Sequence, residues 1–487
     1  MIEAMANVPD YTTRTTCRVC GSGNLVDLFS LGDQYVSDFV DKDRIYSGIK
    51  CPIDIILCQN CTLVQQKHTA RQDFLYTRHY WYRSGVTEIM RQALREIVCV
   101  ACALVDPQPG DVVLDIGAND GTLLKQYKDF ANGLVTVGVE PATNLADECR
   151  KNCDVFVGDF WSEEAYVKNQ RISSLGRNEE LCMKKAKIIT AIGCFYDMED
   201  PGQFVADVAK VLHPEGVFIA QLMCLKQMLD IGDIGNLCHE HLEFYSLKSL
   251  LYLYRSHGLK IFKIEENDVN GGSYRIYARL RDGDWSFSKD NNLIDCLEKE
   301  VGLSDLDSYV QFRSEMETNR RLCRDFIVSE VEKGKKVWVF GSSTKGNVLL
   351  QFYCLGDNPV VCPKCKSFDI NVSVALPLDA RKCAKCHHVF WVWDGPRITL
   401  MGAAADKSPE KLGEYTIGTG IPIKSEQEFR DANPDYALVL PYAFLSEFVE
   451  REKEWLEGGG KFIVPLPKPY LVEMDGQGLV RYYNIGE

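Results

Sequence analysis

The N-terminus, MIEAMANVPD, lacks a basic segment followed by an apolar stretch, so no signal peptide is expected. The 487-residue chain also lacks any run of 18 apolar residues, which argues against a membrane-spanning helix. Positive charge is in deficit: 55 Lys+Arg stand against 69 Asp+Glu, for a net charge of -14. A chain of that sign repels a phosphate backbone, so nucleic acid is not the expected partner. Apolar residues are not scarce. At 46% hydrophobic and 25% charged the composition excludes wholesale disorder. With roughly 100–200 residues per domain, the length implies about three domains.

Cysteine is abundant. Twenty thiols without an export signal point to a reducing, cytoplasmic compartment and to metal ligands rather than a disulfide framework. Cys362, Cys365, Cys383 and Cys386 have the C-x2-C…C-x2-C spacing of a zinc ribbon, with Lys364, Lys366, Lys382 and Lys385 offsetting the thiolate charge. Cys17, Cys20, Cys58 and Cys61 form a second pair of knuckles, more widely separated, with Gly21 and Gly23 turning the chain after the first. Each set closes a tetrahedron around Zn²⁺, so both are expected to be structural. The other cysteines are assigned to packing.

Residues 111–140 read as strand, glycine loop, helix and strand. The run Asp111-Val-Val-Leu114-Asp115-Ile116 leads into Gly117-Ala-Asn119-Asp120-Gly121, and the next apolar run ends at Glu140. A glycine loop at the end of a first strand, with an acid about 20 residues further on, suits a cofactor that carries a ribose. The loop lacks the G-x-G-x-x-G form, and Asp115 and Asp120 would repel a pyrophosphate. They suit a cofactor with a cationic centre. The motif is similar to the S-adenosylmethionine (SAM) loop of class I methyltransferases. That likeness implies Glu140 on the ribose hydroxyls and Asp159 beside the adenine. Later apolar runs, 188–192 and 211–219, continue the α/β alternation.

Cys238-His239-Glu240-His241 is not H-E-x-x-H. On a helix the two histidines would diverge, and on a strand they would share a face without an evident third ligand. A structural role and a catalytic one both remain open. Asn270-Gly-Gly272-Ser-Tyr274-Arg275 is a glycine turn carrying a cation, either a phosphate holder or a hairpin.

The order of these pieces resembles the sugar C-methyltransferases that begin with a zinc-binding domain, which act on nucleotide-linked 4-keto-deoxy sugars. The matching segments are Cys17 to Cys61, Tyr80-Trp-Tyr82-Arg-Ser-Gly85, Gly117 to Gly121, Glu240-His241, Gly271 to Arg275, and Gly341-Ser-Ser-Thr-Lys345-Gly346-Asn347. Cys238 stands where the family commonly has Tyr or Phe, and Ala220-Gln221 where an acid often ends the strand. The ribbon at 360–395 is not expected in the family.

The resemblance implies a zinc-binding domain (1–80), a Rossmann-like methyltransferase domain (81–285) and a second Rossmann-like α/β domain (286–487) interrupted by the ribbon. A small-residue loop such as 341–347 can offer backbone N–H groups to phosphate. The resemblance implies that the last domain helps bind a nucleotide sugar, with Lys345 and Asn347 there and Arg275 of the middle domain as substrate-binding residues, or else that the last domain serves dimerisation. Methylating carbon next to a ketone needs a base, a group on the enolate oxygen and a methyl held in line. The expected base is His241, with Glu240 orienting it or bonding substrate and Tyr80 or Tyr82 on the keto oxygen. The alternatives are O- or N-methylation in the same frame, and a zinc-ribbon binding protein with a vestigial SAM site. A homodimer is left open.

Overall fold

The structure is a computed structural model that describes residues 9–77, 80–174, 184–283, 293–356 and 399–486, together with 370–371, 380–383 and 389–391. The chain forms two compact units. The first comprises Met1–Ser30, Cys51–Asp230 and His239–Gln311, and the second Leu31–Lys50, Ile231–Cys238 and Phe312–Glu487. Among the described residues no helix is long and apolar enough to cross a membrane.

In the first unit, the apolar run 112–116 forms strand β1 (Val112–Ile116), every residue of which is buried. Continuous burial of that kind marks a parallel strand covered on both faces. The other strands of its sheet are β2 (Val135–Val139), β3 (Val155–Val157), β4 (Ala186–Ile192), β5 (Leu212–Met223), β6 (Leu259–Asn267) and β7 (Ser273–Leu280). Their order is β6-β7-β5-β4-β1-β2-β3. The five strands from β5 to β3 run parallel, and β7 is antiparallel to both β5 and β6. This is a seven-stranded Rossmann-like sheet, as the resemblance implies. The chain order reverses between β1 and β4, and the crevice outside their carboxyl ends is where such sheets take ligands.

Helix α1 (Glu88–Val105) begins at Thr87, whose hydroxyl accepts from Met90 N, and buries Met90, Ala93, Leu94, Ile97, Val98 and Ala101. That spacing is one helical face. It packs with Val113, Leu124, Tyr127 of α2 (Thr122–Phe130), Ile188 and Val217 into one core. Ahead of the sheet, Tyr11–Thr13 pairs with His68–Ala70, and Val64–Gln66 pairs on one side with Ile55–Leu57. On its other side Val64–Gln66 takes Glu243–Phe244, the strand just after the H-E-H segment. The zinc-binding region and that segment therefore share a sheet.

The second unit holds β8 (Val337–Phe340), α3 (Thr344–Phe352), β9 (Ala404–Asp406), β10 (Ile423–Ser425), β11 (Tyr436–Val439), β12 (Lys461–Val464), β13 (Tyr470–Met474) and β14 (Val480–Asn484). The sheet order is β10-β9-β8-β11-β12-β13-β14, with the first five strands parallel and the last two antiparallel. It is a second Rossmann-like sheet, with Phe340, Phe429, Phe448, Trp455 and Phe462 in its core. Strand β9 starts at Ala404. Small side chains at Ala404 and Ala405 let β9 lie buried there between β8 and β10, with Asp406 half-buried at its end. The charged helix runs Leu306–Glu332, and Gly334 follows at φ 82.

Between α3 and β9, Ile370–Asn371, Ala380–Cys383 and Val389–Trp391 form a three-stranded antiparallel sheet, with Ile370 opposite Cys383 and Arg381 opposite Phe390. Of the expected ligands in this insertion, Cys362, Cys365 and Cys386 lie outside the described residues, and Cys383 is described only as a strand position.

Candidate cofactor and acceptor site

The loop after β1 is built from left-handed backbone. Gly117, Asn119 and Gly121 have φ of 70, 53 and 76. A Cβ at Gly117 would fall 2.9 Å from Cys194 Sγ, and one at Gly121 would fall 2.7 Å from Asn152 Cβ, so space as well as conformation demands glycine. Glu140, buried at the end of β2, accepts from Asn119 N through Oε2 and from Ala142 N through Oε1, both at 2.8 Å. Burial raises its pKa, and those two bonds oppose the rise. Asp115 Oδ1 accepts from Thr190 Oγ1 at 2.6 Å, and burial pushes its carboxyl up to about 7.

The Tyr80–Gly85 segment is laced to this loop. Asn119 Nδ2 donates to Tyr82 O at 3.0 Å and Asn119 Oδ1 accepts from Ser84 N at 2.9 Å. Gly85 N donates to Asp120 Oδ2 at 2.7 Å, while Asp120 Oδ1 accepts from Thr122 N at the start of α2. Asn144 exchanges two bonds with the backbone of Tyr80. Burial, then the negative charges of Glu240 and Asp197, hold the Tyr80 phenol far above its ordinary range, so it stays protonated and able to donate. Tyr82 is 47% exposed. Asp159 is exposed beyond β3, its Oδ1 accepting from Phe160 N at 2.8 Å.

His239 and Glu240 form a turn, neither the helix nor the strand weighed for them. The two histidines separate. His239 Nε2 donates to Cys51 O at 2.8 Å, and burial pushes its pKa down to about 4, so the ring is neutral. His241 is buried with its ring edge-on to Tyr196. Its carbonyl accepts from Gln66 Nε2 at 2.9 Å, and that of Glu240 accepts from Tyr76 Oη at 2.9 Å. Tyr196 and Asp197 lie just past the carboxyl end of β4. The turn, Tyr80 and the cofactor loop thus gather where the sheet topology places its ligand crevice.

Arg275 lies on β7 and is bonded within the sheet, Nε to Gln221 Oε1 at 3.0 Å and Nη1 to Glu265 Oε2 at 3.3 Å. The turn before it is the hairpin, with Gly271 at φ 88 and Gly272 at φ 121. In the second unit, Lys345 Nζ donates to Asn236 Oδ1 at 2.6 Å. Four N–H groups of the 341–347 loop are already engaged, Gly341 N by Ala405 O, Ser342 N by Asp406 Oδ2, Gly346 N by Ser343 Oγ and Asn347 N by Ser343 O. Asn347 Nδ2 donates to Ile417 O at 3.3 Å, and its Oδ1 is buried without a partner among the described residues.

Cys17, Cys20, Cys58 and Cys61 place their sulfurs within 4.8 Å of one another. Cys17–Cys61 and Cys20–Cys58 are each 3.5 Å apart, near the ~3.8 Å edge that a tetrahedron with ~2.3 Å Zn–S bonds requires. The thiolate set fits a closed structural zinc. Residues that the sequence did not single out for the site include Arg18, Gln66, Asn144, Tyr196 and Asp197. Their partners are remote in sequence, and no local pattern marks them.

Family models match three parts of the chain. A zinc binding domain covers residues 17–76 and a methyltransferase domain covers 86–264. A C-methyltransferase C-terminal domain covers 268–363 and 393–467, so the match breaks across the inserted segment. The C-methyltransferase NovU of Streptomyces niveus is 26% identical over 464 residues, covering 94% of this chain and 97% of that protein. Among solved structures, magnesium protoporphyrin IX methyltransferase from Synechocystis PCC 6803 is 12% identical at TM-score 0.27, over 39% of this chain and 78% of that one. The CcbJ methyltransferase of Streptomyces caelestis is 14% identical at TM-score 0.29, over 38% and 89% respectively.

Proposed function

We propose that the chain is a zinc-binding-domain-containing, SAM-dependent C-methyltransferase that methylates the carbon beside the ketone of a nucleotide-linked deoxy sugar, with His241 as base. The observation that carries the reading is the shared location of His241, Tyr80 and the glycine loop at the carboxyl ends of β1 and β4.

In this reading Asp115, Gly117, Asn119, Asp120, Gly121 and Glu140 would hold the cofactor, and Asp159 would serve its adenine. SAM supplies the electrophilic methyl group. His241 removes the proton from carbon, since imidazole titrates near neutral pH. Glu240 orients His241 or bonds the sugar, and the protonated Tyr80 donates to the keto oxygen as charge develops there. Tyr82, more exposed, is the second candidate for that donor. In the second unit, Lys345 and Asn347, whose Oδ1 has no partner among the described residues, are the candidates for binding a nucleotide. Arg275 contributes by fixing β7 against Gln221. The regions 1–80, 81–285 and 286–487 are the corresponding domains, and the insertion holds a second zinc.

Mass spectrometry of products from SAM and a panel of nucleotide-linked keto sugars tests this. A gain of one methyl on carbon, with SAM-free deuterium exchange at that carbon, is the expected result. Full methyl transfer by His241→Asn at unchanged SAM affinity would overturn the base assignment.

A further inference from the structure

Arg18 lies inside the first zinc knuckle, between Cys17 and Cys20, yet its side chain is 0% exposed and reaches away from the thiols. Nη1 donates to Gln65 Oε1 at 3.1 Å and to Gln66 O at 2.6 Å, and Nη2 donates to Thr69 Oγ1 at 2.6 Å. Two carboxylates flank it, Glu199 at 3.4 Å and the equally buried Glu243 at 3.6 Å. Zinc ligation does not call for a guanidinium here. A buried charge is unfavourable unless its partners are worth keeping together.

Those partners are the supports of the histidine turn. Gln66 N donates to Leu242 O and Gln66 Nε2 to His241 O, each at 2.9 Å. Glu243 lies two residues past His241 and pairs with Gln65 across the sheet. Glu199 follows β4 in the segment that carries Tyr196, whose carbonyl accepts from Leu242 N and Glu243 N. One planar fork therefore ties the knuckle to both walls of the turn. The bonds among Asn119, Asp120, Glu140 and Gly85 that shape the cofactor loop do not include it.

We propose that Arg18 is a positioning residue for His241, by which the ordered Cys17–Cys20–Cys58–Cys61 knuckle fixes the histidine turn while leaving SAM binding alone. The proposal rests on the reading of His241 as the base. Lysine keeps the charge but not the fork, so it does not substitute.

The test uses the full-length, zinc-loaded protein with Arg18→Lys and with the double variant Arg18→Met/Glu243→Gln, which leaves no buried charge orphaned at Glu243. Zinc content, SAM affinity by calorimetry, kcat, and SAM-free deuterium exchange into the keto sugar are measured. Both variants should keep their zinc and their SAM affinity, and lose about 10- to 100-fold in kcat and in exchange rate. Unchanged kcat, or a parallel loss of SAM affinity, overturns the positioning role. Should His241→Asn keep full exchange, the base assignment itself fails. If His241→Asn loses exchange while the Arg18 variants retain it, only the positioning role fails.

Discussion

The ring of Tyr196 stands edge-on to that of His241, with centroids 4.6 Å apart at 73°. Two residues earlier, His239 is engaged by the carbonyl of Cys51. One turn therefore holds a histidine facing an aromatic residue at the end of β4 and another committed to structure. The difference shows in stability against pH. The folded pKa of His239, about 4, lies below the ordinary 6.5, so the folded chain resists taking up this proton. Stability from this group is full above about 6.5 and falls as pH drops towards 4, by about 3 kcal/mol. His239→Gln should remove that acid-side loss in thermal melts between pH 4 and 7 and retain methyl transfer. His241→Asn should cut transfer by roughly 100-fold or more. An unaltered acid-side slope in His239→Gln would show that this ring is not the group responsible.

Asp115 works in the opposite sense. Burial raises its carboxyl from 3.8 to about 7, so the folded chain binds this proton more tightly than the unfolded one. Its contribution is complete below about pH 3.8 and is lost as pH rises through 7, by about 4 kcal/mol. Asp115→Asn keeps the size and a bond to Thr190 but cannot ionise. Its melting temperature should decline less than that of the parent from pH 4 to 8. Parallel curves for the two proteins would refute the assignment.

Gly85 marks where the Tyr80–Gly85 segment meets the glycine loop. A Cβ there would lie 2.7 Å from Thr122 Oγ1 and 2.9 Å from Asp120 Oδ2. Gly85→Ala must displace the segment or the start of α2. We expect about a tenfold loss of SAM affinity by calorimetry, equal to about 1.4 kcal/mol, with the far-ultraviolet spectrum retained. Unchanged affinity would mean that the segment yields without moving the loop.

What the sequence revealed was local. The run Gly117-Ala-Asn-Asp-Gly121 announces its own turn because each residue type answers to a backbone angle, and the knuckles announce metal by spacing. Remote partnerships were silent. Asn144 binds the backbone of Tyr80 across 64 residues, and Arg18 meets Glu199 across 181. Arg275 looked equally like a phosphate ligand until Gln221 and Glu265 were seen to take its guanidinium. The 341–347 loop promised free N–H groups, but Asp406, at the end of a neighbouring strand, occupies the one on Ser342.

The last prediction concerns metal content. The first knuckle set is assembled, with its four sulfurs within 4.8 Å. The second set shares its cysteine spacing with zinc ribbons, and one member, Cys383, ends a strand of a three-stranded antiparallel sheet. The C-methyltransferase match stops at 363 and resumes at 393, and the described strands of the insertion form a sheet separate from the seven-stranded one. A unit that small has too little core of its own and must take folding energy from its ion. Elemental analysis of the purified chain should therefore give two zinc ions per chain. Replacing residues 360–395 with a short glycine linker should remove one of them and leave SAM affinity unchanged, whereas Cys17→Ser should remove the other and lower kcat through Arg18. A full-length chain holding a single zinc would sink the second site. Loss of SAM binding on deletion would sink the insertion's independence from the cofactor.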